Sequence, residues 1–98
     1  MSARMVTYRV KEGRAAENAA YVRDVMADLA QRGAEGVAYR VYLLEDGVTF
    51  LHVVHEDGEG GALEVSEAFQ RFTSTLIEDR CADTPELHRM TLVGRYDG

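Results

Sequence analysis

The stretch GVAYRVYLLEDGVTFLHVVHED, residues 36–57, constrains this chain more than any other. Two runs rich in β-branched and aromatic residues flank Asp46-Gly47, a pair that tolerates the positive φ angles of a tight hairpin turn. The stretch therefore predicts two antiparallel strands. Loop length decides which side chains share a face. A two-residue loop, Asp46-Gly47, pairs His52 with Val41 and groups it with Tyr39 and Phe50. A three-residue loop, Glu45 to Gly47, pairs His52 with Arg40 and groups it with Tyr42. One residue of slip turns every side chain to the opposite face, so both registers stay open at this point.

The rest of the chain wraps this hairpin in a regular alternation. Arg4 to Val10 alternates with period two and reads as a strand. From about Arg14 to Arg32 the pattern turns helical, with Val22, Val25, Met26 and Leu29 recurring on one stripe and Gly33 as the stop. GEGG, Gly58 to Gly61, reads as a loop, since it has neither the Rossmann nor the P-loop spacing. A second helix runs from Ser66, a plausible N-cap, to Arg80, with Val65, Phe69, Phe72 and Leu76 on its apolar face. The only proline, Pro85, marks a break before a last strand, Leu87 to Asp97.

The order β-α-β-β-α-β is that of a ferredoxin-like α+β fold, one antiparallel sheet with both helices on one face. Each strand also carries apolar residues on both alternating faces: Met5 and Val6, Val41 and Leu44, Val53 and Val54, Leu92 and Val93. The uncovered face needs a cover, and a second copy of the same sheet about a two-fold axis supplies one. Ninety-eight residues form one domain, 1–98, which gains much from such a partner.

Composition narrows the function. A formal charge of −6, with no run of Lys or Arg, argues against nucleic acid or an anionic membrane as partner. One cysteine, Cys81, excludes an internal disulfide and fits a reducing compartment. With no apolar run of signal-peptide or membrane-spanning length, a cytoplasmic protein is expected.

In element order, in the YRVYLLEDGVTFLHVVHED hairpin and in SEAFQRFTSTLIEDR with its Phe-x-x-Phe spacing, nearly the whole chain resembles the dimeric α/β-barrel superfamily, in particular its antibiotic-biosynthesis-monooxygenase (ABM) type. The resemblance implies a homodimer joined through its sheet faces. It also implies a cofactor-independent, monooxygenase-like enzyme acting on an aromatic or polyketide-like small molecule in a barrel cavity. The alternative is a non-catalytic dimeric ligand-binding or accessory protein. Haem degradation, known in one branch, is not implied. That branch uses an Asn on the first strand, a Trp and a His on the second helix, whereas this chain has Thr7 and Arg9 on the first strand, no Trp, and no His from Ser66 to Arg80. No cofactor is expected.

His52 and His55 stand three apart on a strand and so point to opposite faces, which removes a shared metal. In the three-residue register, His52 joins Arg40, Tyr42, Thr7, Arg9, Thr91 and Arg95 on the barrel-facing side. Val6, Tyr8, Val10, Val37, Tyr39, Val41, Met90 and Leu92 then suit the helix-facing core. There His52 is a candidate general base, Tyr42 a donor to an oxyanion, and Arg40 a stabiliser of an enolate or a binder of an acidic substrate. The plainer reading is that His52 is a buried or interface histidine satisfied by hydrogen bonds, with Arg40 in an intersubunit ion pair. His55 and the HEDGE run read as surface, Cys81 as a small buried apolar residue, and His88 as a strand start without distinctive context. Asn18 and Tyr21 could reach a pocket where helix meets sheet.

Overall fold

A computed structural model describes residues 2–57 and 61–98, so the predicted loop at Gly58 to Gly61 lies outside the described residues except for Gly61. The elements are β1 (Ser2–Arg9), α1 (Ala15–Arg32), β2 (Val37–Leu43), β3 (Thr49–Glu56), α2 (Glu67–Thr75) and β4 (Glu86–Met90). All pairings are antiparallel, in the order β2-β3-β1-β4. Two helices on one side of this sheet make the ferredoxin-like α+β fold.

The core lies between the sheet and the helices. Tyr8, Phe50 and Val54 from the sheet meet Val22 and Val25 of α1 and Ala68 and Phe72 of α2, all buried. The α1 stripe holds as predicted, and Gly33 ends the helix at φ +59°, where its N–H and that of Ala34 bond to Ala30 and Leu29 carbonyls. At the start of α2 the Ser66 hydroxyl accepts from Phe69 N–H at 3.1 Å and donates to Asp28 at 2.7 Å, so the cap also ties α2 to α1. Val65, expected on the apolar face, precedes this cap and is exposed.

One open choice is decided and two expectations need correction. The hairpin adopts the two-residue register. Asp46 accepts from the N–H groups of Val48 and Thr49 and from the Thr49 hydroxyl, while Gly47 takes φ +75°. The Leu44 N–H bonds to the Thr49 carbonyl and the Gly47 N–H to the Leu44 carbonyl, so the loop spans Glu45 to Val48 and keeps the parity of the Asp46-Gly47 register, with Val41 opposite His52. His52 therefore leaves the company of Arg40 and Tyr42 and joins Tyr39 and Phe50 on the helix side. The last strand stops at Met90 rather than Asp97. Its only neighbour among the described residues is β1, Met90 pairs with Ala3, and β1 begins at Ser2, so later residues run past the end of the sheet. Thr91, Leu92 and Arg95 thus lie beyond the strand, Leu92 and Arg95 beside Arg40 and His55 of the open face, and the pairing with Ala3 puts Met90 on that face. Finally, the second helix widens after Thr75 into a π-helical turn, Leu76–Arg80, closed by Cys81 N–H on the Leu76 carbonyl at 2.8 Å.

Candidate functional site

Tight side-chain alternation on β3 buries Phe50, His52, Val54 and Glu56 beneath the helices and leaves Leu51, Val53 and His55 on the open face. His52 is 4% exposed and lies directly between Val6 of β1 and Val41 of β2. Its polar partners are the two diagonal neighbours, Tyr8 on one side and Tyr39 on the other. The Tyr8 hydroxyl is 2.7 Å from Nε2 and the Tyr39 hydroxyl 2.7 Å from Nδ1. Both ring nitrogens of His52 are thereby engaged.

Burial governs the protonation of all three groups. It lowers the His52 pKa from 6.5 to about 4, because no charged partner compensates the desolvated imidazolium. It pushes both tyrosines well above their ordinary value, in Tyr8 against the opposing hydrogen bond from Asn18. At neutral pH the Tyr-His-Tyr triple is uncharged.

This triple forms part of one wall of a cavity of about 250 Å³ between the sheet and α2. Val6, Val54, Leu63, Phe69, Phe72 and Leu76 make the rest of it mostly apolar. Arg4 sits among the lining residues and is held by Glu56 at 2.5 Å, whose second oxygen accepts from Gly61 N–H. An apolar chamber with a few convergent polar groups has the character of a small-molecule site.

The residues singled out in the sequence do not assemble into one site. Arg40 and Tyr42 are exposed on the open face of the sheet, opposite His52. Arg40 lines a separate hollow of about 410 Å³ with His55, Asp57, Leu92, Arg95 and Asp97, where the C-terminal segment passes the sheet. That hollow is larger and about equally open to solvent, but its lining lacks the buried polar cluster of the chamber under α2. Cys81 is buried, and burial raises its thiol pKa. His88 is exposed near Glu86.

Four contributors to the polar cluster were not assigned to it from sequence: Tyr8, Tyr39, Asn18 and Arg80. Tyr8 and Tyr39 were placed in the core, which is correct, but their hydroxyls find a shared partner there. Two signals pointed to the others. Asn18 continues the α1 stripe of Val22, Val25 and Leu29, and Arg80 continues the Phe69, Phe72, Leu76 spacing, so each is a polar residue in an apolar series. Tyr21 packs at the edge of the core against the Arg80 guanidinium, 4.0 Å from ring centroid to carbon.

No family profile matches the sequence, and no curated protein matches it at a significant level. Solved structures do match it in fold. A candidate antibiotic biosynthesis monooxygenase from Nitrosomonas europaea superposes with a TM-score of 0.77 at 12% identity, over 96% of this chain and 100% of that one. Another structure, described as an antibiotic biosynthesis monooxygenase, gives 0.73 at 16% identity over 96% and 100%. A protein of unknown function, also from Nitrosomonas europaea, gives 0.73 at 16% identity over 99% and 93%. The chain has the ABM-type fold, a small α+β protein.

Proposed function

We propose that this protein is a cofactor-independent, monooxygenase-like enzyme that takes an aromatic or polyketide-like small molecule into the chamber beneath α2. The observation that carries the reading is the Tyr8-His52-Tyr39 triple set into an otherwise apolar wall. Phe69 and Phe72 offer faces and edges for a flat ring. A hydroxyl set in a mostly apolar wall stabilises negative charge developing on a substrate oxygen more strongly than one in water. A phenol or enol that enters already ionised, its proton left with solvent, is electron-rich enough to reduce oxygen directly. Without a cofactor the substrate itself supplies the electrons. A ring CH2 that becomes C=O gives up four electrons, takes one atom of O2, and releases the other as water. His52 acts in this scheme through Tyr39, holding that hydroxyl against the cavity, rather than as a free base.

The fold similarity to monooxygenase-type structures supports the assignment. A second copy of the chain is the partner in this reading. Met5, Leu51 and Val53 lie half-buried on the open face and Tyr42 is exposed there, a surface suited to packing sheet against sheet. Arg40 and Tyr42 then belong to the interface rather than to the chemistry.

A binding-only accessory role is the second reading. It is favoured by His52 itself, whose two engaged nitrogens and pKa near 4 leave it poorly placed to take a proton at neutral pH. Oxygen uptake separates the two. Wild-type protein and Tyr39→Phe are incubated aerobically with hydroxylated bicyclic and tricyclic aromatics, with binding measured in parallel. The enzyme reading expects turnover that falls about a hundredfold in Tyr39→Phe. Binding with no oxygen uptake for any compound supports the accessory reading.

A further inference from the structure

The hydrogen bonds on His52 continue past Tyr8 into the interior, where they reach a group that can only donate. Arg80, at the end of the π-helical turn, is fully buried, yet among the described residues it has no carboxylate within ion-pair distance. Its Nη1 donates to the Thr75 hydroxyl at 2.6 Å and its Nη2 to the Phe72 carbonyl at 2.7 Å. Its Nε donates to Asn18 Oδ1 at 2.8 Å. An amide side chain alone leaves its own orientation open, but a guanidinium accepts nothing. Asn18 must turn its oxygen to Arg80 and its NH2 the other way, where it donates to the Tyr8 hydroxyl at 2.8 Å.

Tyr8 therefore already accepts, and its own proton needs an acceptor. Among the described residues that acceptor is His52 Nε2. A neutral imidazole has one N–H, so with Nε2 accepting, the proton sits on Nδ1 and is donated to the Tyr39 oxygen. The reverse direction would give the Tyr8 oxygen two donors and leave its buried proton with nowhere to go. No buried side-chain polar atom among the described residues lacks a partner, which fits the ordered chain.

We propose that Arg80 and Asn18 are positioning residues that fix the direction of the chain Arg80, Asn18, Tyr8, His52, Tyr39. Tyr39 is thereby left with its hydroxyl proton free at the cavity wall, and the chamber selects ligands that present an acceptor oxygen, a ketone or a phenolate. The ligand half rests on the reading of the chamber as a small-aromatic site; the direction of the chain does not.

The two halves are tested separately. In ligand-free protein with isotopically labelled imidazole nitrogens, NMR at neutral pH locates the His52 proton, with His52→Gln identifying its signals. The expected result is a proton on Nδ1. In Asn18→Asp, an isosteric change that pairs with Arg80, Tyr8 donates to the new carboxylate and the chain reverses, so the His52 proton moves to Nε2. Arg80→Lys keeps a donor to Asn18 and keeps the proton on Nδ1. A wild-type proton on Nε2, or a proton that stays on Nδ1 in folded Asn18→Asp, overturns the proposal. For the ligand half, fluorenone and fluorene differ only in a carbonyl oxygen. Fluorenone should bind wild type about tenfold more tightly, a gain of one net hydrogen bond, and the preference should vanish in Tyr39→Phe and in Asn18→Asp. Equal binding of the two overturns the acceptor selection. Binding of neither counts against the chamber as an aromatic site while the tautomer still judges the chain.

Discussion

Stripped of water, an imidazole gives up its proton more easily, and His52 turns that into a pH dependence of the fold. Its pKa is about 4 when folded and near 6.5 when the chain unfolds. Above pH 6.5 both states are neutral and nothing is lost. Between 6.5 and 4 the unfolded state alone takes up the proton, so stability falls as pH falls, by about 3 kcal/mol once both values are passed. Denaturant melts at pH 7, 5.5 and 4 check this; His52→Gln should flatten its share of the slope. Arg80 tests the donor end of the buried polar chain. Arg80→Met leaves Asn18 Oδ1 and the Phe72 carbonyl without their donor and should cost about 3 kcal/mol in the same assay. At this scale the sequence was partly legible. Asn18 reads from sequence as within reach of a pocket where helix meets sheet, whereas Arg80 draws no reading although it continues an apolar series, and no pattern says which polar groups meet. The Tyr8-His52 contact joins residues 44 apart and exists only once β1 and β3 are in register.

Among the elements, the two helices, the hairpin and the order of elements along the chain follow from periodicity, because each buries one stripe or one face. What periodicity leaves open is parity. Arg40 and Tyr42 with His52, or Tyr39 with His52, differ by one residue in a loop, and both faces of β2 and β3 carry enough apolar residues to suit either. The turn decides through Asp46, with its three accepted hydrogen bonds, and Gly47, with its positive φ. A Cβ at Gly47 would meet nothing within 4 Å, so Gly47→Val should cost only the left-handed backbone penalty, about 1–2 kcal/mol by chemical denaturation. Ser66→Ala removes the α2 cap and its tie to Asp28 and should cost about 1–2 kcal/mol, with faster amide exchange at Phe69 as the local sign. The π-helical turn had no signature in the sequence. It replaces i+4 bonding with i+5 over one turn, and the apolar spacing that leads into it is helical either way.

For the molecule as a whole, the sheet divides two jobs. The helix side encloses the chamber, and the open side offers Met5, Leu51 and Val53 to a second copy. Light scattering on the eluting protein should give twice the chain mass, and Val53→Arg, a charge at the middle of that face, should give the chain mass with the helical signal intact. A wild-type monomer would remove the sheet-to-sheet dimer and leave the chamber standing, because no residue of the polar chain lies on the open face. The parity of β2 has a consequence for how such a protein can change. Tyr39 and Val41 face inward, Arg40 and Tyr42 outward, so one short strand spells two texts in alternate letters. Substitutions at the even positions can revise whom the protein pairs with while the odd positions keep what it holds. A single codon gained or lost between Leu44 and Val48 would exchange the two texts at once, which makes this short loop the place least free to vary in length.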